Sequence, residues 1–124
     1  MPRRKILIID DIPQIVQLLR FYIQRAGYDA VVASNGWEGL QQVTAERPDI
    51  VLVDAMMPEM DGFEFIERYR KLSGHNRAKV IMVTTLSGDE FRTRAMNAGA
   101  DDFVTKPVTE ELLKNKIESL LATT

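Results

Sequence analysis

The sequence contains no cysteine among its 124 residues. That excludes disulfide staples, thiolate metal sites and thiol nucleophiles, and it fits a reducing compartment. Histidine occurs once, at His75, so no imidazole cluster is available for zinc. Apolar runs are short. The first, Ile6 to Ile9, is too brief for a signal-peptide core or a membrane span. Neither sign of charge dominates: 16 Lys and Arg face 18 Asp and Glu, a formal net charge of -2, which gives no reason to expect direct nucleic-acid binding. The basic start, Arg3, Arg4 and Lys5, reads as a solvated lead-in to a strand. What remains is an ordinary soluble composition, 45% hydrophobic and 27% charged. A chain of this length is expected to form one domain over 1–124 and to bury roughly two-thirds of its surface. A cytoplasmic protein without membrane partners is expected, and no output domain is visible after Leu121.

Short apolar runs alternate with longer amphipathic stretches. Lys5 to Asp10 is apolar and β-branched on both faces, as a central parallel strand requires. Asp11 can cap the helix that follows, with Pro13 in its first turn and Ile15, Leu18, Leu19, Tyr22 and Ala26 at helical spacing. Gly27 is a natural stop. Tyr28 to Ala33 reads as a second strand, and Ser34-Asn35-Gly36 opens a helix with Trp37, Leu40, Val43 and Thr44 on one side. Asp49 to Asp54 is a third strand, and a helix with Phe65, Ile66, Tyr69 and Leu72 inward follows the loop 56–62. Val80 to Thr84 is a fourth strand, followed by a helix carrying Phe91, Ala95 and Ala98 and closed by Gly99. Asp102 to Thr105 is a short fifth strand. Thr109 caps a last helix with Leu113, Ile117, Leu120 and Leu121 inward. Strands alternating with helices imply right-handed crossovers, hence an α/β, doubly wound, five-stranded parallel sheet with five helices on its two faces.

Ligands of such sheets bind beyond the carboxyl ends of the strands. The residues there are Asp10 with Asp11, Asp54, Thr84 and Lys106. Three neighbouring carboxylates repel one another, and a bound cation relieves this. The ligands are hard oxygens without His or Cys, which selects Mg²⁺ or Mn²⁺ over Zn²⁺. Lys106 offers a point charge for a phosphoryl oxygen, and Thr84 offers a hydroxyl. A carboxylate in this company can be the nucleophile of phosphoryl transfer, forming an acyl phosphate. Taken singly, each residue has a plainer reading: a helix cap for Asp11, a turn for Asp54, a backbone-bonded hydroxyl for Thr84, a solvated lysine for Lys106. Their common place at one edge favours the joint reading.

The chain resembles the receiver domains of two-component response regulators over essentially its whole length. The resemblance rests on Ile8-Ile9-Asp10-Asp11, Val53-Asp54 with Met57-Pro58-Glu59-Met60-Asp61-Gly62, Val83-Thr84, Gly99-Ala100-Asp101-Asp102 and Lys106-Pro107. It implies a flavodoxin-like fold with strand order 2-1-3-4-5. It implies that Asp54 accepts phosphoryl from a histidine kinase or a histidine phosphotransfer protein. Asp11, Asp54 and the Met56 backbone carbonyl would ligate Mg²⁺ directly, and Asp10 through water. Thr84 and Lys106 would hold phosphoryl oxygens, and the Lys106–Pro107 peptide would be cis. Phe103 stands at the switch aromatic, expected to rotate inward as Thr84 moves, which biases the surface of the fourth helix, fifth strand and fifth helix toward a partner or output domain.

There are departures from the family pattern. Thr85 stands where a smaller residue is usual, and its bulk is expected to narrow access to the site. Met56 and Leu86, two positions past Asp54 and Thr84, are apolar and cannot orient an attacking water, so slow self-dephosphorylation is expected. Met56 also stands where aspartyl-phosphate phosphatases carry a second aspartate, which argues against a turnover enzyme; an interaction module without phosphoryl chemistry is the other alternative. His75 reads as a loop histidine, Met56, Met57 and Met60 as loop packing and Trp37 as helix packing. Arg92, Arg94, Lys114, Lys116 and Glu118 read as a solvated helix face, with a dimer contact on phosphorylation as the alternative.

Overall fold

A computed structural model describes residues 3–74 and 77–123. His75 lies outside the described residues. The elements are β1 (Lys5–Ile9), α1 (Pro13–Arg25), β2 (Asp29–Ala33), α2 (Gly36–Glu46), β3 (Ile50–Val53), α3 (Gly62–Arg70), β4 (Lys79–Thr84), α4 (Asp89–Ala98), β5 (Asp102–Thr105) and α5 (Glu110–Leu121). The strands form one parallel sheet in the order β2-β1-β3-β4-β5. The inner strands β1, β3 and β4 are apolar on both faces because both faces are covered.

Alternation along each inner strand sorts its side chains into two cores. Leu7, Ile9, Val51, Val53, Val80 and Met82 face α2, α3 and α4, where Phe65, Ile66 and Tyr69 pack. Ile6, Ile8, Ile50, Leu52, Ile81 and Val83 face α1 and α5, where Leu19, Ile23, Leu113 and Ile117 pack. Gly39 lets α2 sit close on the first face, since a Cβ there would come within 2.6 Å of Ile9 Cδ1 and 3.0 Å of Phe65.

Several local expectations change. Asp11 does not cap α1: the N-cap is Ile12, with no side-chain bond, and Pro13 at the first position leaves one donor fewer to satisfy. The neighbouring Asp10 instead accepts the Ile12 N–H at 2.9 Å. Asn35, Asp61 and Thr109 cap α2, α3 and α5 through their side chains. Leu18 and Thr44 face solvent rather than the core, and so does Trp37, which carries the Arg68 guanidinium 5.0 Å from its ring centre. The basic start is not simply solvated. Arg3 meets Asp29, Arg4 meets Asp49 and Lys5 meets Glu46, tying β1 to its neighbours. Arg92 and Lys116 both pair with Asp102, Lys114 pairs with Glu118, and Arg94 lies 4.1 Å from the Phe63 ring centre.

Candidate functional site

The sheet register builds the site. Ile9 pairs with Val53, and the next backbone bonds extend the ladder: Asp54 N–H donates to Ile9 at 3.1 Å and Asp10 N–H to Ala33 at 3.2 Å. Asp10 and Asp54 therefore leave adjacent strands side by side. On the other flank Thr84 pairs with Thr105, and Lys106 N–H donates to the Thr84 carbonyl at 2.7 Å. Lys106 thereby faces the carboxylates from a strand two places away from β3, and the Lys106–Pro107 peptide is cis.

The Lys106 ammonium donates to Asp10 Oδ2 at 2.9 Å and to Asp54 Oδ2 at 3.2 Å. All three groups are buried, their side chains 9%, 2% and 7% exposed. Asp54 Oδ1 accepts the Met56 N–H at 3.3 Å. Asp11 is exposed, but it offers an oxygen within 4.8 Å of oxygens of Asp10 and Asp54. Three carboxylates against one ammonium leave two uncompensated negative charges in a small volume. An all-oxygen donor set of that charge fits a hard divalent cation, and its open side at Asp11 suits a metal that keeps waters. Thr84 is fully buried and its hydroxyl oxygen accepts the Leu86 N–H at 3.3 Å.

The loop after β3 reaches this geometry through a residue with no chemistry of its own. Gly62 donates its N–H to Ala55 at 2.9 Å, and a Cβ there would press on the Asp54 carbonyl oxygen and come within 2.9 Å of the Ala55 Cα. These are backbone atoms that cannot turn aside, so any side chain at 62 would move Asp54 itself. Along the sequence Gly62 stood only as the end of the 56–62 loop and of a stretch that carries the family resemblance, with no signal of this close approach.

Met56 is 59% exposed and, with Leu86 and Phe91, lines an open cavity of about 590 Å³ beside the carboxylates. Thr85 is exposed and shares a mainly apolar groove of about 280 Å³ with Ile15, Leu18, Lys106 and Pro107. Phe103 is already inward, 6% exposed, with its carbonyl accepting from Arg92 at 3.3 Å. Arg70 ties this half of the molecule together: it donates to Gly99 and Ala78 carbonyls at 2.9 and 2.8 Å and to Asp101 at 2.9 Å. No described helix is long and apolar enough to cross a membrane.

Residues 6–118 match the family model of the response regulator receiver domain. The chain is 34% identical to the alkaline phosphatase synthesis transcriptional regulatory protein PhoP of Bacillus subtilis, over 95% of this chain and 48% of PhoP. It thus spans about half the length of the first curated relatives it matches. It is 35% identical to protein PilH of Pseudomonas aeruginosa, over 95% of this chain and 98% of PilH. In structure it superposes on the Vibrio cholerae chemotaxis protein CheY4 with a TM-score of 0.91 at 30% identity, covering 96% of this chain and 99% of that one. With its strand order, its acidic pocket and its matched span, the chain belongs to the response regulator receiver domain family, whose general role is that of a phosphorylation-controlled signalling switch.

Proposed function

We propose that Asp54 accepts a phosphoryl group from a phosphohistidine on a histidine kinase or phosphotransfer protein, and that the resulting acyl phosphate resets the surface formed by α4, β5 and α5. The observation that carries this reading is the Lys106 ammonium, buried between Asp10 and Asp54 at 2.9 and 3.2 Å. An Asp54 carboxylate oxygen attacks phosphorus, the P–N bond breaks, and the imidazole leaves with the electron pair and takes up a proton. Lys106 needs no large movement to follow the charge, since it already touches the carboxylate that receives the group. Asp11, Asp54 and the Met56 carbonyl would hold Mg²⁺, or Mn²⁺ in its place, with Asp10 acting through water; the metal supplies charge neutralisation for the phosphoryl oxygens.

Thr84 then exchanges its contact with Leu86 for a phosphoryl oxygen. Its withdrawal from the β4–α4 loop favours the inward Phe103 and reshapes the adjoining surface, where Arg92 spans Phe103 and Asp102. Met56 and Leu86 offer no group to orient water, so the phosphorylated form is long-lived. The domain, read as spanning 1–124, acts in the cytoplasm through a partner protein or an attached domain, without touching nucleic acid itself. It turns over no external substrate. Intact mass after incubation with Mg²⁺ and acetyl phosphate tests this. A gain of one phosphoryl group that persists for minutes and vanishes in Asp54→Ala is expected. No gain with any donor would overturn the reading, and decay within seconds would overturn the long lifetime.

A further inference from the structure

We propose that the amino-end edge of the sheet holds a second site, which binds the phosphate of a small organic phosphomonoester. A cavity of about 350 Å³ opens there between α2, α3 and the start of β4, lined by Arg47, Pro48, Asp49, Tyr69, Arg77 and Ala78. It is remote from the phosphoacceptor. Asp49 and Asp54 flank β3, and five steps of a strand at roughly 3.3 Å each separate the two edges by about 16 Å.

The cavity is supplied with donors. Neither guanidinium, Arg47 or Arg77, has an ion pair or side-chain hydrogen bond among the described residues. Tyr69 is 2% exposed, and its hydroxyl oxygen accepts the Ala78 N–H at 2.9 Å. Both residues joined by this bond line the cavity. The phenol proton itself has no acceptor among the described residues. A buried donor left unmatched is costly, which marks the cavity as the place of its partner. Asp49 is the one carboxylate among the described residues of the wall. Its oxygens are taken by the Lys5 N–H at 2.8 Å and by Arg4 at 3.4 Å, so its charge is met from the β1 side.

Arg47 is held where an arginine is unfavourable. It ends α2 in the left-handed region at φ 48, a place glycine or asparagine usually takes. Such backbone cost at an exposed residue is consistent with a site that needs the side chain. Two guanidinium forks and a hydroxyl donor select a ligand with several anionic oxygens, and phosphate matches the guanidinium geometry. The cavity is larger than inorganic phosphate needs and near the small end of ligand pockets, which favours a phosphate carried on a small organic body.

The test uses ¹⁵N-labelled full chain in EDTA, titrated separately with glycerol 3-phosphate, inorganic phosphate and, at matched ionic strength, sodium chloride. Glycerol 3-phosphate should shift the Ala78 amide and the Arg47 and Arg77 Nε–H signals saturably, leaving the Thr84 and Lys106 amides in place. Arg77→Ala and Arg47→Asn, both at exposed positions, should each weaken binding about tenfold or more. Tyr69→Phe should weaken it too, and the arginine variants keep the test valid if that protein folds poorly. The proposal fails if no shift saturates by about 20 mM, a range that covers millimolar affinity. It fails equally if chloride reproduces the shifts, if the arginine variants bind like the parent, or if inorganic phosphate binds as tightly as the ester.

Discussion

At the carboxyl end of the sheet a single ammonium is shared between two buried carboxylates, whereas at the amino end the charged pairs lie at or near the surface and stitch one element to the next. Lys106 and its partners are less than a tenth exposed. Arg3, Arg4 and Lys5 and their partners are between a third and just over half exposed. Burial makes the difference. In the open, water and salt screen a pair until it is worth well under about 1 kcal/mol. In the interior, desolvation makes each charge depend on its partner, and an excess of one sign is retained at a cost that only a ligand or a reaction relieves. The amino-end pairs join neighbouring elements at little gain in stability, and the carboxyl end keeps an imbalance available for chemistry.

The sharpest way to break that contrast is Lys106→Met. Without the ammonium, Asp10 and Asp54 lose their shared cation, and the loss should cost about 3 kcal/mol in urea unfolding with EDTA present. Divalent cation should restore part of it. A cost below about 0.5 kcal/mol would mean that the carboxylates were never dependent on Lys106.

Tyr69→Phe probes a buried polar group at the amino end. The Ala78 N–H loses its acceptor, at a cost of about 1–2 kcal/mol at neutral pH. Burial raises the Tyr69 phenol above its ordinary 10.0. Below that value the phenol is neutral in both states and its contribution to stability is complete. As pH rises toward the raised folded value the unfolded chain releases the proton first, so stability falls. The parent's advantage over Tyr69→Phe should therefore shrink as pH rises above 10.0. An advantage that stays level through this range would show that the phenol titrates alike in both states.

The smallest effect is expected from Arg3→Ala or Arg4→Ala, each within about 0.5 kcal/mol of the parent and smaller still in salt. A loss above about 1 kcal/mol from either would erase the distinction between the two ends.

Much of this was legible along the chain. The inner strands showed as fully apolar runs because a sheet covered on both faces leaves no polar position, and each run ended in the residue that now stands at the site. The cap at Thr109 and the opening of α2 within Ser34-Asn35-Gly36 could be placed because capping is local chemistry. Other assignments failed for want of direction. Asp10 and Asp11 are neighbours of the same type, yet Asp10 points inward to Lys106 and bonds the Ile12 N–H, while Asp11 faces solvent. Trp37 is apolar at helical spacing but lies at the edge of α2's buried stripe, with an arginine rather than the core against it.

The order of elements, the two-faced burial of the inner strands and the kind of residue at their ends were determined by the sequence alone, because periodicity and residue type express local preference and solvent avoidance. Partnership was decided only by tertiary structure. The sharing of Lys106 between Asp10 and Asp54, the fit of Gly62 against the Asp54 backbone and the approach of Arg47, Tyr69 and Arg77 around one cavity join residues up to 96 positions apart. Such contacts depend on strand register and helix approach, which are fixed by the packing of the whole chain.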